Sequence, residues 1–506
     1  MLATFMEVLD TSVANVALPH IAGSLSASVD ESTWVLTSYL VANAIILPMS
    51  GWFSMLMGRK RYYMFCVALF TVASALCGLA PSLGFLILFR VLQGLGGGAL
   101  QPISQAILIE RFPPEKRGMG MAVYGMGVVV APVIGPTLGG WLTDNFSWHW
   151  IFLINIPVGA LSLFMTSMIV HDPPYLKRRS FAEGLRLDYI GLSLLAIGLG
   201  ALEIFLDEGQ RNDWFGSHLI VLSGLIALVC LVAVVVWELH TKDPIIDFRV
   251  LKERNLAIGT MAMLLLGFVL YGSTTLLPLM LQTLLGYTAM LSGLVLSPGG
   301  LVILFAMPIV GVLLRKMQPK WLVVFGVAVS SMGLLYMARF TLDVDMRTAV
   351  TARIIQSVGL AFLFVPINTA AFSFVPRDRT NYATGLINLA RNIGGSSGIA
   401  FVTTMLARRG QAHQQALVSH LTPSNPTFQT TLQQIAATLQ ARGMSAADAL
   451  HQAYGMVYGT VQRQASMLAF ADAFWLLGIL FLGVAPLMFF MKKSKGAPSA
   501  DAAAVH

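Results

Sequence analysis

Arg90-Val-Leu-Gln93-Gly-Leu-Gly96 returns 263 positions later as Arg353-Ile-Ile-Gln356-Ser-Val-Gly359. Pro48-x-x-Gly51 returns as Pro308-x-x-Gly311 after 260 positions, and Pro19 as Pro278 after 259. Three nearly equal offsets in three separate apolar runs mark a parallel internal repeat, which is the layout of two helical halves facing each other across a central cavity. The chain around them is 56% hydrophobic and only 11% charged, against about 25% charged in a soluble domain. It reads as an all-α polytopic membrane protein.

Runs of about 20 apolar residues, enough to cross ~30 Å of hydrocarbon, recur fourteen times, at 2–25, 33–57, 62–80, 84–109, 119–143, 150–170, 188–206, 218–238, 256–284, 289–314, 320–339, 346–373, 382–406 and 467–491. The repeat pairs the first six with the last six and leaves two as an insertion. The expected organisation is a six-helix half over 1–171, two inserted helices with their linkers over 172–255, a six-helix half over 256–491, and a tail over 492–506. Lys and Arg fix the expected orientation: 22 fall in one set of loops, including Arg59, Lys60, Arg61, Arg111, Lys116, Arg117, Lys177, Arg178, Arg179, Arg186, Lys242, Arg377, Lys493 and Lys495, against 7 in the other set. The richer set is cytoplasmic by the positive-inside rule, which puts both termini in the cytoplasm.

The basic residues form no stripe, so the net charge of +8 is a topology signal and no nucleic-acid partner is expected. Cys66, Cys77 and Cys230 lie in apolar runs and offer neither a disulfide framework nor metal-ligand spacing. Gly394-Gly-Ser-Ser-Gly398 fits a nucleophile elbow and Gly94-Leu-Gly-Gly-Gly-Ala99 a dinucleotide fingerprint, but neither follows a strand, and both read as helix-packing glycines. No metal or cofactor is expected.

The first run carries the chemistry. Glu7 and Asp10 sit inside Met1–Leu25, which lacks a basic leader and is followed at once by another span, so it is read as a first span rather than a signal peptide. An acid at the centre of a membrane helix costs about 2.5–3.5 kcal/mol and is by default functional. Three residues apart, the two share a helix face at about 5–6 Å and are expected to hold one proton between them; the alternative for Glu7 is an interfacial, solvated position. The equivalent run of the second half, Leu264 to Pro278, has no carboxylate. Proton handling is therefore assigned to Asp10, assisted by Glu7, with Arg90 as partner and Arg353 as a structural tether. Glu203 and Asp207, near the outer end of the seventh run, are read as snorkelling to the interface. By helix position, Asn15, Asn43, Gln93, Tyr124, Tyr271, Asn368 and Asn388 are candidates to face the substrate cavity, with Met and aromatic residues as adaptable apolar walls.

The hydrophilic stretch 407–466 has Phe428, Leu432, Ile435 and Leu439 at helical spacing, a cap glycine at Gly443, and the capping box Ser445-Ala-Ala-Asp448. It is expected to be an amphipathic helical hairpin outside the membrane, serving either as a lid or as a partner-docking surface.

Several motifs resemble the major facilitator superfamily. Gly51-Trp-Phe-Ser-Met-Leu-Met-Gly58-Arg59-Lys60-Arg61 is similar to its loop signature, with Met55 where that signature usually carries Asp. Gly127, Pro132, Gly135, Pro136, Gly139 and Gly140 match the motif typical of its antiporters. Together with Leu9-Asp10-Thr-Ser-Val-Ala-Asn15-Val-Ala-Leu-Pro19 and Trp148-His-Trp-Ile-Phe-Leu-Ile-Asn155-Ile-Pro157, they resemble the fourteen-helix drug:proton antiporters, and Leu421-Thr-Pro-Ser-Asn-Pro426 is similar to multidrug exporters of Gram-negative bacteria. The resemblance implies the major facilitator fold and an inner-membrane pump that exports hydrophobic drugs, uncouplers or fatty acids. Its coupling ion would be the proton, and it would work with a periplasmic adaptor and an outer-membrane channel. The alternatives are a dedicated exporter of a fatty acid, siderophore or metabolite, and a non-transporting scaffold or sensor.

Overall fold

A computed structural model describes residues 1–27, 29–112, 117–172, 188–241, 244–376 and 379–492. Lys116, Lys177, Arg178, Arg179, Arg186, Lys242, Arg377, Lys493 and Lys495, and with them much of the expected cytoplasmic charge, lie outside the described residues. Every regular element described is helical. The main ones are α1 (Leu2–Ser24), α2 (Trp34–Met57), α3 (Arg59–Cys77), α4 (Leu83–Gly97) continued by α5 (Leu100–Arg111), α6 (Arg117–Asn145), α7 (Asn155–Ile169), α8 (Tyr189–Glu208), α9 (His218–His240), α10 (Arg254–Thr283), α11 (Ala289–Leu313), α12 (Pro319–Met337), α13 (Met346–Ala371), α14 (Thr380–Val418), α15 (Pro426–Ala441) and α16 (Ala446–Leu482).

Ten helices among the described residues are long and apolar enough to cross a bilayer, eleven if the two bent segments of α6 count as one span. The expected number of fourteen is not reached on that test. The three runs that fall short, α1, α3 and the start of α14, are helical but diluted by polar side chains, and α1 is the helix that carries the acids.

Helix pairing repeats along the chain. In the first part α1 packs on α6, α2 on α4, and α3 on both α4 and α7; in the second α10 packs on α14, α11 on α13, and α12 on both α13 and α16. The two sets meet where α6 lies along α11 and α2 along α14. The inserted helix α8 packs on both α2 and α14, and α9 packs on α8. On its other side α9 exposes Leu219, Leu222, Leu225, Val229, Val232 and Val236, an apolar stripe that only lipid solvates cheaply.

Small residues set the helix spacing. A Cβ added to Gly96 would lie 2.6 Å from the Phe70 nitrogen and 3.0 Å from the Cys66 carbonyl oxygen. Gly394 and Gly398 likewise lie against the Leu264 and Phe268 backbones, so both glycine clusters are the packing devices that their position in spans implied. Gly96→Leu is expected to destabilise the protein by about 1–3 kcal/mol or more, because backbone cannot step aside as a side chain can. Gly84→Leu, where nothing lies within 4 Å, should be neutral, and thermal melts in detergent compare the two.

The segment 407–466 departs from an independent hairpin. The helix α14 runs unbroken for 39 residues, roughly 58 Å at 1.5 Å per residue, and α16 for 37. Of the two, α16 passes the test for a membrane span, and both are longer than the roughly 20 residues that a bilayer requires. The helix α15 packs on the extension of α16 through Leu432, Ala436 and Ala453, while Ser445 accepts from the Asp448 amide as the capping box requires. Each outer helix therefore inherits its direction from a spanning helix.

Candidate functional site

Asp10 is 3% exposed and receives three donors from two helices, Arg90 and Gln93 from α4 and Asn155 from α7. Arg90 NH1 lies 2.5 Å from Asp10 Oδ2, Gln93 Nε2 donates to Oδ1 at 2.9 Å, and Asn155 Nδ2 donates to Oδ1 at 2.8 Å. Arg90 is fully buried; its Nε donates to the Val35 carbonyl at 2.9 Å, its NH1 also reaches Gln93 Oε1 at 2.8 Å, and its guanidinium lies over the Tyr39 ring at 4.3 Å. Asn155 is held in turn by Ser74, whose hydroxyl donates to the Phe152 carbonyl. The cost of burying the two charges is offset by hydrogen bonds to both Asp10 oxygens and from Arg90 Nε and NH1, while Arg90 NH2 has no partner among the described protein atoms.

Glu7 belongs to a second cluster. Gln101 Nε2 donates to Oε2 at 2.6 Å, while Asn43 Nδ2 at 3.1 Å and the Tyr39 hydroxyl at 3.3 Å donate to Oε1. Gln101 turns its carbonyl oxygen to Arg391 NH2, across the boundary between the two sets of helices. Glu7 is thus buried rather than interfacial, and the expectation that it shares a proton with Asp10 is not what the geometry gives: each acid has its own donors. Tyr39, which donates to Glu7 and stacks on Arg90, is the side chain common to both clusters.

The motif of α6 lies against the helix that carries these acids. Pro136 has no N–H, so the Pro132 carbonyl loses its helical donor, and Ser12 Oγ on α1 donates to it at 3.1 Å. A Cβ on Gly139 would lie 3.0 Å from the Val13 carbonyl oxygen, and Gly135 meets Ser12. Gly140 is buried, and Gly127 leaves room toward Phe5. The helix bends by 44° between Met119–Pro132 and Ile134–Asn145. Its other side meets α11 at Gly293 and Ser297 through Thr137. One kinked helix therefore touches both the acid-bearing α1 and the opposite half.

Two further polar contacts join the halves. Gln105 Nε2 donates to Asn368 Oδ1 at 2.7 Å, and Asn388 Nδ2 donates to Gln105 Oε1 at 2.6 Å. At the end of the bundle where α3 begins, Arg59 makes a two-pronged ion pair with Glu110 and donates to Asn381 at 3.0 Å. Met55 leaves the loop without its usual acid, and Glu110 supplies one from the end of α5.

In the second half Arg353 NH1 donates to Gln356 Oε1 at 2.7 Å and Gln356 Nε2 to the Ser273 hydroxyl at 2.8 Å. Ser273 stands where the first half has Asp10, so the Arg-Gln pair recurs and the acid does not. Glu203 corrects the snorkelling expectation. It is 4% exposed and accepts from Ser396 on α14 at 3.1 Å, and Asp207 accepts from Thr37 on α2. Because α8 lies in the seam between the halves, Glu203 points into protein rather than to an interface, whereas Asp207 is exposed.

Of the cavity candidates, Asn43 joins Glu7, Gln93 joins Asp10, and Asn368 and Asn388 join Gln105. Tyr124 donates to the Gln101 carbonyl at 3.3 Å and stacks on Phe364, Tyr271 lies against Gly395, and Asn15 is exposed. The sequence reading missed Gln101, Gln105 and Arg391. Arg391 was visible as a lone charge within a span, but the two glutamines only become notable once α5 and α14 are brought together.

A bundle of apolar helices that pair twice in the same pattern, with a buried Asp–Arg pair inside its first set, has the form of a multi-pass membrane transporter. Residues 1–399 match the Major Facilitator Superfamily model, and the chain belongs to that family. It is 39% identical over 493 residues to the fatty acid resistance protein FarB of Neisseria gonorrhoeae, spanning 97% of this chain and 94% of that protein. It is 37% identical over 497 residues to the multidrug export protein EmrB of Escherichia coli (strain K12), spanning 98% and 94%. Among solved structures it is similar in fold to the proton:xylose symporter XylE, with a TM-score of 0.61 at 15% identity over 98% of this chain and 95% of that one. The human organic anion transporter MFSD10 gives 0.58 at 13% identity, over 95% and 97%.

Proposed function

We propose that the protein exports hydrophobic toxic compounds across the bacterial inner membrane by exchange for protons. The single observation that carries this reading is the Asp10–Arg90 pair, fully buried in one half, backed by the antiporter-type helix α6, and replaced by Ser273 in the other half. Ionised Asp10 accepts from Arg90, Gln93 and Asn155 at once. Once protonated it becomes a donor on one oxygen, so at least one of these bonds is lost and α1 is released from α4 and α7. The Ser12–Pro132 and Thr137–Ser297 contacts of α6 carry that release to α11, and the halves 1–171 and 256–491 rock about the site.

In this reading both termini are cytoplasmic, the Arg59–Glu110–Asn381 contact closes the cytoplasmic end, and Asp10 loads its proton from outside. No cofactor takes part beyond the proton. The extended α14–α15–α16 unit faces the periplasm as the place for an adaptor that leads to an outer-membrane channel. A dedicated fatty acid exporter is the second reading, favoured by the similarity to FarB. The test uses purified protein in proteoliposomes with a pH-sensitive dye inside. An imposed gradient, acidic outside the cytoplasmic face, should drive uphill movement of several unrelated hydrophobic compounds, each addition shifting the internal pH. Movement of fatty acids alone would select the second reading, and no coupled movement would remove both.

A further inference from the structure

Among the described residues three arginines are completely buried, and their company differs. Arg90 has Asp10. Arg353 has Gln356, and its Nε and NH2 are likewise unpartnered, but it is packed within its own half, beside Gly299 and Ser357. Arg391 lies at the boundary between the halves, where its NH2 donates to Gln101 Oε1, while its Nε and NH1 have no partner among the described protein atoms. Among the described residues it makes no ion pair. Glu7, Tyr124 and Tyr271 are its electrostatic neighbours, from α1, α6 and α10, and Phe364 of α13 lies 5.9 Å from it. A guanidinium withdrawn from water with two of its three nitrogens unbonded is costly. Placed at the boundary between the halves rather than inside one of them, the free donors of Arg391 are positioned to serve a charge that arrives during the working cycle.

We propose that Arg391 reads the head group of the exported compound, and that this head group is a carboxylate. The proposal rests on the export reading above. The planar fork of Arg presents two parallel donors, NH2 with either Nε or NH1, which match the two oxygens of a carboxylate once NH2 is released from Gln101. Opening the seam between α5 and α14 breaks the Gln101–Arg391 bond and presents the guanidinium to the space between the halves. The tail of a bound amphiphile then lies along Phe364, Tyr271 and Met307, rings and a thioether that adapt to varied apolar shapes. Glu7 sits one side chain beyond Gln101 and repels a second anion, which selects singly charged head groups over dianions.

The test measures binding of laurate, dodecanol and dodecyltrimethylammonium to the full chain in nanodiscs of phosphatidylcholine at neutral pH. Wild type should hold laurate more tightly than dodecanol of the same chain length. Arg391→Gln should weaken laurate by roughly 10- to 100-fold, the usual worth of a hydrogen bond to a charged group, and leave dodecanol within about twofold. Arg391→Lys, which keeps the charge without the fork, should fall between, and serves if the Gln variant does not fold. Equal weakening of laurate and dodecanol, or unchanged laurate binding, overturns the proposal. So does Arg391-dependent displacement of laurate by phosphatidylglycerol, which would make the site a lipid head-group site. Coupled export of the cationic or neutral compound with no binding of laurate would leave the export reading standing and remove this one.

Discussion

Asp10→Asn is expected to abolish proton-driven export while leaving a folded protein. Asn has the size of Asp and keeps one accepting oxygen, so Gln93 and Asn155 retain a partner. What is lost is the charge. Arg90, fully buried, then has no counter-ion, and removing one member of such a pair is worth about 3–5 kcal/mol. If the state with Asp10 ionised is the one that accepts substrate, a change of that size moves its population by about 10²- to 10³-fold. In proteoliposomes the substrate-induced pH change should fall below detection, and the initial rate of gradient-driven export by two orders of magnitude or more. Glu7→Gln is the control that separates the acids. Glu7 contacts Gln101, Asn43 and Tyr39 but not Arg90, so its loss should weaken substrate handling while a substrate-linked proton signal persists. Substrate addition that still moves protons in Asp10→Asn vesicles would end the assignment.

The difference between these two acids marks the limit of what the sequence shows. Their spacing of three places them on one face of α1, and that much holds. Whether they act together depends on what faces them, and α2, α4 and α7 bring Arg90, Gln93 and Asn155 to one and Asn43 to the other. No local pattern encodes which helix comes opposite. The repeat was legible because packing glycines and the Arg-x-x-Gln pair recur at a nearly fixed offset, a signal that survives without knowledge of contacts. The glycine clusters were legible for the same reason, since a span has no strand to make an enzyme loop of them. Glu203 was misread because nearness to a helix end suggests snorkelling only when that end meets water or head groups. The helix α8 instead fills the seam between α2 and α14. The outer hairpin was misread in one respect: capping and apolar spacing locate its helices, yet neither records that α14 and α16 run on without a break.

The second large effect is expected at the far end of α5. Arg59 is 3% exposed and Glu110 10%, and their pair, with Asn381 as third member, joins α3 and α5 of one half to α14 of the other. Glu110→Ala leaves the Arg59 guanidinium buried with only the Asn381 oxygen, again a penalty of about 3–5 kcal/mol. Unlike the loss of Asp10, this one is relieved by the opening motion proposed above: separating α14 from α2 lets water reach Arg59. The penalty therefore falls on the closed state alone, and the equilibrium moves toward opening by about 10²- to 10³-fold. A cysteine at Gly385 reports it, because an added Cβ there stays 3.6 Å from the Pro48 carbonyl oxygen and fits the closed seam without strain. With Cys230 replaced by Ser, the alkylation rate of Gly385→Cys should rise by that factor in Glu110→Ala and much less in Glu110→Gln, which retains a hydrogen bond to Arg59. If the rate is the same with and without Glu110, the contact is only a helix tether, and closure of this end has to rest on the Gln105–Asn368–Asn388 bonds deeper in the bundle.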